Sequence, residues 1–155
     1  MVKLKLRDTA APFTFTLINV HTDPSPLSAL RGDLNALGRI YQTVQANDPQ
    51  DDDIILLGDL NSDPSSFWGL GNVSDLVYAV PDSGTMVHGA SRNDNIVFQW
   101  RFTGEDYTGR AGVFRVAQFL GIWRHTSPPS GRAGGYSFAH AISPCIHQTV
   151  LLALK

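Results

Sequence analysis

The sequence predicts an α/β (α+β) chain in which strands build a sheet and a helix covers one of its faces. Two observations carry that prediction. Short runs rich in branched and aromatic residues, Phe13 to Val20 and Ile54 to Leu57 among them, are bounded by turn-forming residues in the manner of strands. Between these two runs, Leu30, Leu34, Leu37, Tyr41 and Val44 recur at alternating steps of four and three, which lays them on one helical stripe facing a sheet. A helix set between strands in this way is the signature of layered strand-and-helix architecture.

Taken in order, Val2, Leu4 and Leu6 alternate with Lys3, Lys5 and Arg7, so the chain opens on a half-exposed strand with a basic outer face. Asp8 to Pro12 predicts a turn, and Phe13 to Val20 pairs back on the first strand as a hairpin, delivering His21 at its end. A histidine at a strand end serves either as a structural hydrogen-bonding group or as a catalytic one, and the residue alone leaves both open. His21 to Pro26 is not helical, and Ser25 before Pro26 reads as an N-cap with proline at the first helical position. Arg39, Gln42 and Gln45 fall off the apolar stripe and are expected to point outward. Asn47 to Asp53 predicts an acidic, solvated turn.

The stretch Ile54-Ile55-Leu56-Leu57-Gly58-Asp59-Leu60-Asn61 is apolar on both strand faces before it turns polar, so the strand belongs at the centre of the sheet. The two-residue period puts Asp59 and Asn61 on one side of the chain, at a strand end where polar groups reach solvent and a ligand. The same residues also fit an Asx turn. Ser62 to Ser66 is turn material, with Phe67 and Trp68 packing back on the core. Ser74 to Val80 fits a short helix or a strand. A polar loop from Asp82 to Asn93 leads into the strand Asp94-Asn95-Ile96-Val97-Phe98, which an acid enters. Gly104 to Arg110 reads as loop, Gly112 to Val116 as a strand and Ser127 to Gly135 as a long connection. The run Thr149 to Leu154 is a buried strand, with His147 just before it.

Neither an internal repeat nor a linker divides residues 1–155, so a single domain is expected. A net charge of −2 and a pI near 6.2 leave no broadly basic surface for nucleic acid. Any such contact is local. Arg92, Arg110, Arg124 and Arg132 are dispersed, as ordinary surface arginines are. One cysteine, Cys145, excludes an internal disulfide framework and a multi-cysteine zinc site. The apolar runs are all shorter than the roughly 18 residues of a membrane span, and the alternating start does not form the apolar block of a signal peptide, so no membrane partner is expected.

Four of these stretches resemble the endonuclease/exonuclease/phosphatase superfamily, typified by deoxyribonuclease I: Phe13 to Thr22, Gly58-Asp59-Leu60-Asn61, Asn93-Asp94-Asn95-Ile96 and, more loosely, His147 before the last strand. Their order matches, with the amphipathic helix between the first two. The resemblance covers nearly all of the chain but only the second half of the family's α/β/β/α sandwich, whose sheets are mainly antiparallel or mixed. It implies a divalent-metal-dependent phosphoester hydrolase. By that likeness His21 contacts the scissile phosphate and serves as an acid, Asp59 and Asn61 handle the nucleophilic water, the phosphate and an Mg²⁺ or Mn²⁺ ion, and Asp94 orients His147 as base or phosphate stabiliser.

Two departures accompany the likeness. The family's first half supplies an early Asn, a metal-binding Glu and the carboxylate that partners the histidine matching His21, and here no Glu precedes Glu105. The family's Ser-Asp-His before the last strand is replaced by Ser143-Pro144-Cys145-Ile146-His147, so one carboxylate is missing. Two functions follow. One is an enzyme acting on nucleic acid or another phosphoester. The other is a half-domain of weak or no activity that binds or dimerises, with a homodimer formed through an apolar sheet face left open by the missing half.

Overall fold

The strands form where branched and aromatic residues cluster, and the sheet they build is mixed. A computed structural model describes residues 1–5, 13–49, 52–80, 92–114 and 149–154. In it, β1 (Val2–Lys5) runs antiparallel to β2 (Thr14–His21), with Val2 opposite Leu17 and Leu4 opposite Phe15. The chain then crosses through α1 (Leu27–Asn47) to β3 (Ile54–Asp59), which lies parallel to β2. This crossover is the reason a helix is needed at all, because two parallel neighbours cannot be joined by a tight hairpin. Two 3₁₀ turns, Pro64–Ser66 and Leu70–Asn72, lead to the short edge strand β4 (Leu76–Tyr78). Strand β5 (Asp94–Gln99) inserts between β3 and β4, antiparallel to both. The order β1-β2-β3-β5-β4 puts β3 at the centre, as its unbroken apolar run predicts.

Each face of this sheet carries its own core. Under α1, Ile18, Ile54, Leu56 and Val97 meet Leu30, Leu34, Leu37 and Tyr41, and Leu34 and Leu56 are wholly buried. The predicted stripe is therefore the packed one, with Val44 partly buried against it. On the other face Phe13, Phe15, Ile55, Ile96 and Phe98 cluster, with Tyr107 and Ala111 against them. Those two residues belong to β6 (Tyr107–Phe114), which follows the short helix α2 (Trp100–Thr103) and pairs antiparallel with β7 (Thr149–Leu154) as a second, two-stranded sheet. The Phe98 and Tyr107 rings meet edge-on at 5.2 Å. Because Phe13, Phe15, Ile55, Ile96 and Phe98 are all buried within one chain, the open apolar face on which the expected homodimer depends is absent at these positions.

Several local expectations change. Ser25 does not cap α1: its amide donates to Asp23 Oδ1, and the helix starts after Pro26, whose carbonyl accepts from the Ala29 and Leu30 amides. Gln45 is half-buried, not outward. Strand β1 is exposed along its whole length, not half-exposed, and it lies at the edge of the sheet with β2 as its one neighbour there among the described residues. Residues 107–110, expected as loop, already belong to β6, because the Tyr107 ring is held on Phe98. The open choice over Ser74 to Val80 resolves to strand β4 flanked by turns. The turn Asp8 to Pro12, the loop from Asp82 as far as residue 91, the connection Ser127 to Gly135, Cys145 and His147 lie outside the described residues.

Candidate active site

Three strand termini meet at one edge of the sheet, and each carries a polar residue. In the parallel ladder His21, the last residue of β2, stands opposite Asp59, the last of β3. In the antiparallel ladder Asp59 stands opposite Asp94, the first of β5. Directly opposed residues project to the same side of a sheet, so the three form one row across three strands. Strand alternation assigns the row to the side of Ile55 and Ile96, away from α1. A histidine and two aspartates far apart in sequence are thus neighbours because of ladder register alone.

Within the row, His21 Nε2 lies 3.4 Å from Asp59 Oδ2, close enough for the carboxylate to attract an imidazolium. The two differ sharply in exposure: the imidazole is 73% exposed and the Asp59 side chain 10%. An accessible imidazole therefore rests on a sheltered carboxylate. The other oxygen, Asp59 Oδ1, accepts the Asn61 amide at 2.9 Å. This is the Asx turn that the sequence also fits, and it sets Asn61 beside the His21–Asp59 pair. Asn61 adopts φ 46°, in the left-handed region that asparagine tolerates, so the turn and not the strand period fixes its direction. Its Nδ2 donates to the Thr22 carbonyl at 2.8 Å, which ties it to the end of β2 and leaves its amide oxygen as an acceptor. The Thr22 amide in turn donates to the Asp59 carbonyl at 3.0 Å.

Gly58 makes this crowding possible. It sits at φ 135°, a backbone that side chains rarely adopt, and a Cβ there would collide with the Val20 carbonyl. Asp94 is buried at the head of β5. Its neighbour Asn95 serves the sheet's other side, where its side chain accepts the Val80 amide and donates to the Val80 carbonyl, both at 3.2 Å.

No protein-family model matches the chain, and no curated protein matches it. The chemistry therefore rests on the geometry of these residues. Of the five residues singled out from sequence, the structure brings together His21, Asp59, Asn61 and Asp94, while His147 lies outside the described residues. Among the described residues no group of three or more His, Cys, Asp or Glu side chains is set to hold a metal ion. The Asp59 carboxylate and the Asn61 amide oxygen are hard donors of the type Mg²⁺ takes when it keeps most of its water and a substrate phosphate completes its shell. Sequence reasoning misses two participants: Thr22, whose carbonyl holds Asn61, and Asp63, which grips Arg92 through a bidentate ion pair. Thr22 gives no signal, since a backbone carbonyl has none. Asp63-Pro64 is visible only as turn chemistry. No helix among the described residues is long and apolar enough to cross a membrane.

Proposed function

We propose that the chain is a phosphoester hydrolase of the endonuclease/exonuclease/phosphatase type, acting on nucleic acid or another phosphodiester at the row His21, Asp59 and Asp94. The observation that carries the reading is the His21–Asp59 contact of 3.4 Å at adjacent strand ends, with Asn61 locked beside it. A carboxylate behind an imidazole fixes its direction, and an exposed imidazole can hydrogen-bond a phosphate oxygen or pass a proton to a leaving alkoxide. In the family that this chain resembles, the carboxylate partnering the histidine comes from a preceding half. In this chain the carboxylate beside His21 is that of Asp59, on the neighbouring strand.

Asn61, held by Thr22, offers its amide oxygen to orient a water. Asp94 is the group that would orient His147 as general base. Mg²⁺ or Mn²⁺, when bound, would be held by Asp59 and Asn61 and would supply positive charge against the phosphate. The alternative of a non-catalytic dimerisation module has less support, because the sheet face it would use is buried within the chain at Phe15, Ile55, Ile96 and Phe98.

The reading is tested by hydrolysis of plasmid DNA and of bis(p-nitrophenyl) phosphate with Mg²⁺ or Mn²⁺, and with chelator. Cleavage that Asp59→Asn and His147→Ala each lower by about 100-fold or more is the expected outcome. A folded chain that cleaves neither substrate, or that cleaves equally well as Asp59→Asn, contradicts the proposal.

A further inference from the structure

The loop after β3 and the run into β5 are tied to one another twice, just beyond the site. The Leu60 amide donates to the Asn93 carbonyl at 2.7 Å. Further out, Arg92 grips Asp63 in a fork, with Nε on Oδ2 at 2.7 Å and Nη2 on Oδ1 at 2.7 Å. Asp63 is itself fixed from the other side, because its Oδ1 accepts the Ser65 amide at 3.1 Å and the Ser65 hydroxyl at 2.9 Å as cap of the 3₁₀ turn. In sequence, Asp63 follows Asn61 by two residues and Arg92 precedes Asp94 by two. The pair therefore joins the turn after β3, next to Asn61, to the residues that lead into β5, next to Asp94.

We infer that the Asp63–Arg92 pair is a clamp that sets the position of Asn61 relative to Asp94, making both members positioning residues of the proposed phosphoester site. The inference rests on that functional reading for its consequence in catalysis, but not for its geometry. The arrangement fits positioning better than stability. The Arg92 and Asp63 side chains are 28% and 35% exposed, and ion pairs so open to water add little to folding. A bidentate guanidinium–carboxylate fork nevertheless fixes direction as well as distance, which a lysine could not do. The Ser65 amide first, and Arg92 after it, hold the Asp63 carboxyl below the usual carboxylate range, so it is ionised at neutral pH. A shift in the loop of even an ångström would displace Asn61 from Asp59 and Thr22, and misplacement on that scale is costly to catalysis.

The test uses the full chain as Asp63→Asn, which keeps a side-chain acceptor for Ser65, and as Arg92→Ala and Arg92→Lys. Two quantities are read: kcat and KM on bis(p-nitrophenyl) phosphate with Mg²⁺, and amide hydrogen exchange at Asn61 against Leu56 in mid-strand. The clamp predicts that Asp63→Asn and Arg92→Ala lower kcat by about tenfold or more with KM nearly unchanged. It also predicts exchange at Asn61 faster by about tenfold while Leu56 is unaffected, with Arg92→Lys falling between native and Arg92→Ala. A rise in KM at constant kcat would make Arg92 a substrate contact and overturn the clamp, as would unchanged Asn61 exchange. If the native chain hydrolyses nothing, the functional reading falls, and Asn61 exchange alone decides the clamp.

Discussion

The two ends of the central sheet are built on opposite principles. At one end, where β3 begins and β5 finishes, the Tyr41 hydroxyl donates to the Ile54 carbonyl at 3.0 Å and accepts the Gln99 amide at 3.2 Å, so one buried phenol joins α1 to two strands. Around it Gln99 Nε2 donates to the Ser74 carbonyl and the Trp100 amide donates to the Asp75 carbonyl. At the other end, where β2 and β3 finish and β5 begins, an imidazole stands 73% exposed over a sheltered carboxylate, and an asparagine side chain is held by its donor end. At one end a buried phenol bridges backbone groups of the fold itself; at the other an exposed imidazole stands over a sheltered carboxylate. The difference teaches where to look for chemistry: a polar group fully used by the fold has nothing left for a ligand.

Substitutions at the two ends should separate these roles. The largest stability loss is expected from Gly58→Ala at the site end, about 2–4 kcal/mol, because the new methyl meets the Val20 carbonyl on a backbone that already disfavours it. Urea unfolding would measure it, and hydrolysis should fall as well, since the β2–β3 spacing carries the His21–Asp59 contact. At the closed end, Tyr41→Phe strands the Ile54 carbonyl and the Gln99 amide in the core and should cost about 1–3 kcal/mol. Its kcat should stay near native under conditions where the variant is folded. A loss of kcat as deep as the loss from a site substitution would erase the distinction between the two ends.

The smallest effect is a pH dependence. Burial pushes the Tyr41 hydroxyl well above its ordinary value of 10.0, and burial also raises Tyr78 and Tyr107. Above that ordinary value an unfolded tyrosine has lost a proton that the folded one retains, so unfolding releases protons and stability falls as pH rises. Below it the contribution is constant. Denaturation midpoints should therefore be flat between neutral pH and pH 10 and decline on the alkaline side, more shallowly in Tyr41→Phe.

Much of this architecture is legible from residues alone, for identifiable reasons. The α1 stripe and the central place of β3 follow from hydrophobic period and from an unbroken apolar run, which are local signals. Asp59 and Asn61 are visible because they end that run, and His21 and Asp94 because they flank strands. The His21–Asp59 contact is not visible. It depends on β2 and β3 being parallel and in register, and no residue near either the histidine or the aspartate encodes that. The start of α1 differs from its sequence signal because Pro26, not Ser25, takes the N-cap position, one residue further along the chain. The start of β6 is hidden because a glycine-containing stretch reads as loop until a ring such as Phe98 gives Tyr107 a place to pack.

At the centre of the proposed chemistry, His21 and Asp59 act as a unit across two strand ends. A double-mutant cycle on phosphodiester hydrolysis tests this directly, with His21→Ala, Asp59→Asn and the two combined. Residues that work through one another are non-additive, so the double variant should be no slower than the worse single one. Losses that instead multiply in the double variant would mean that the two act independently, and the paired imidazole and carboxylate would not be the heart of the site.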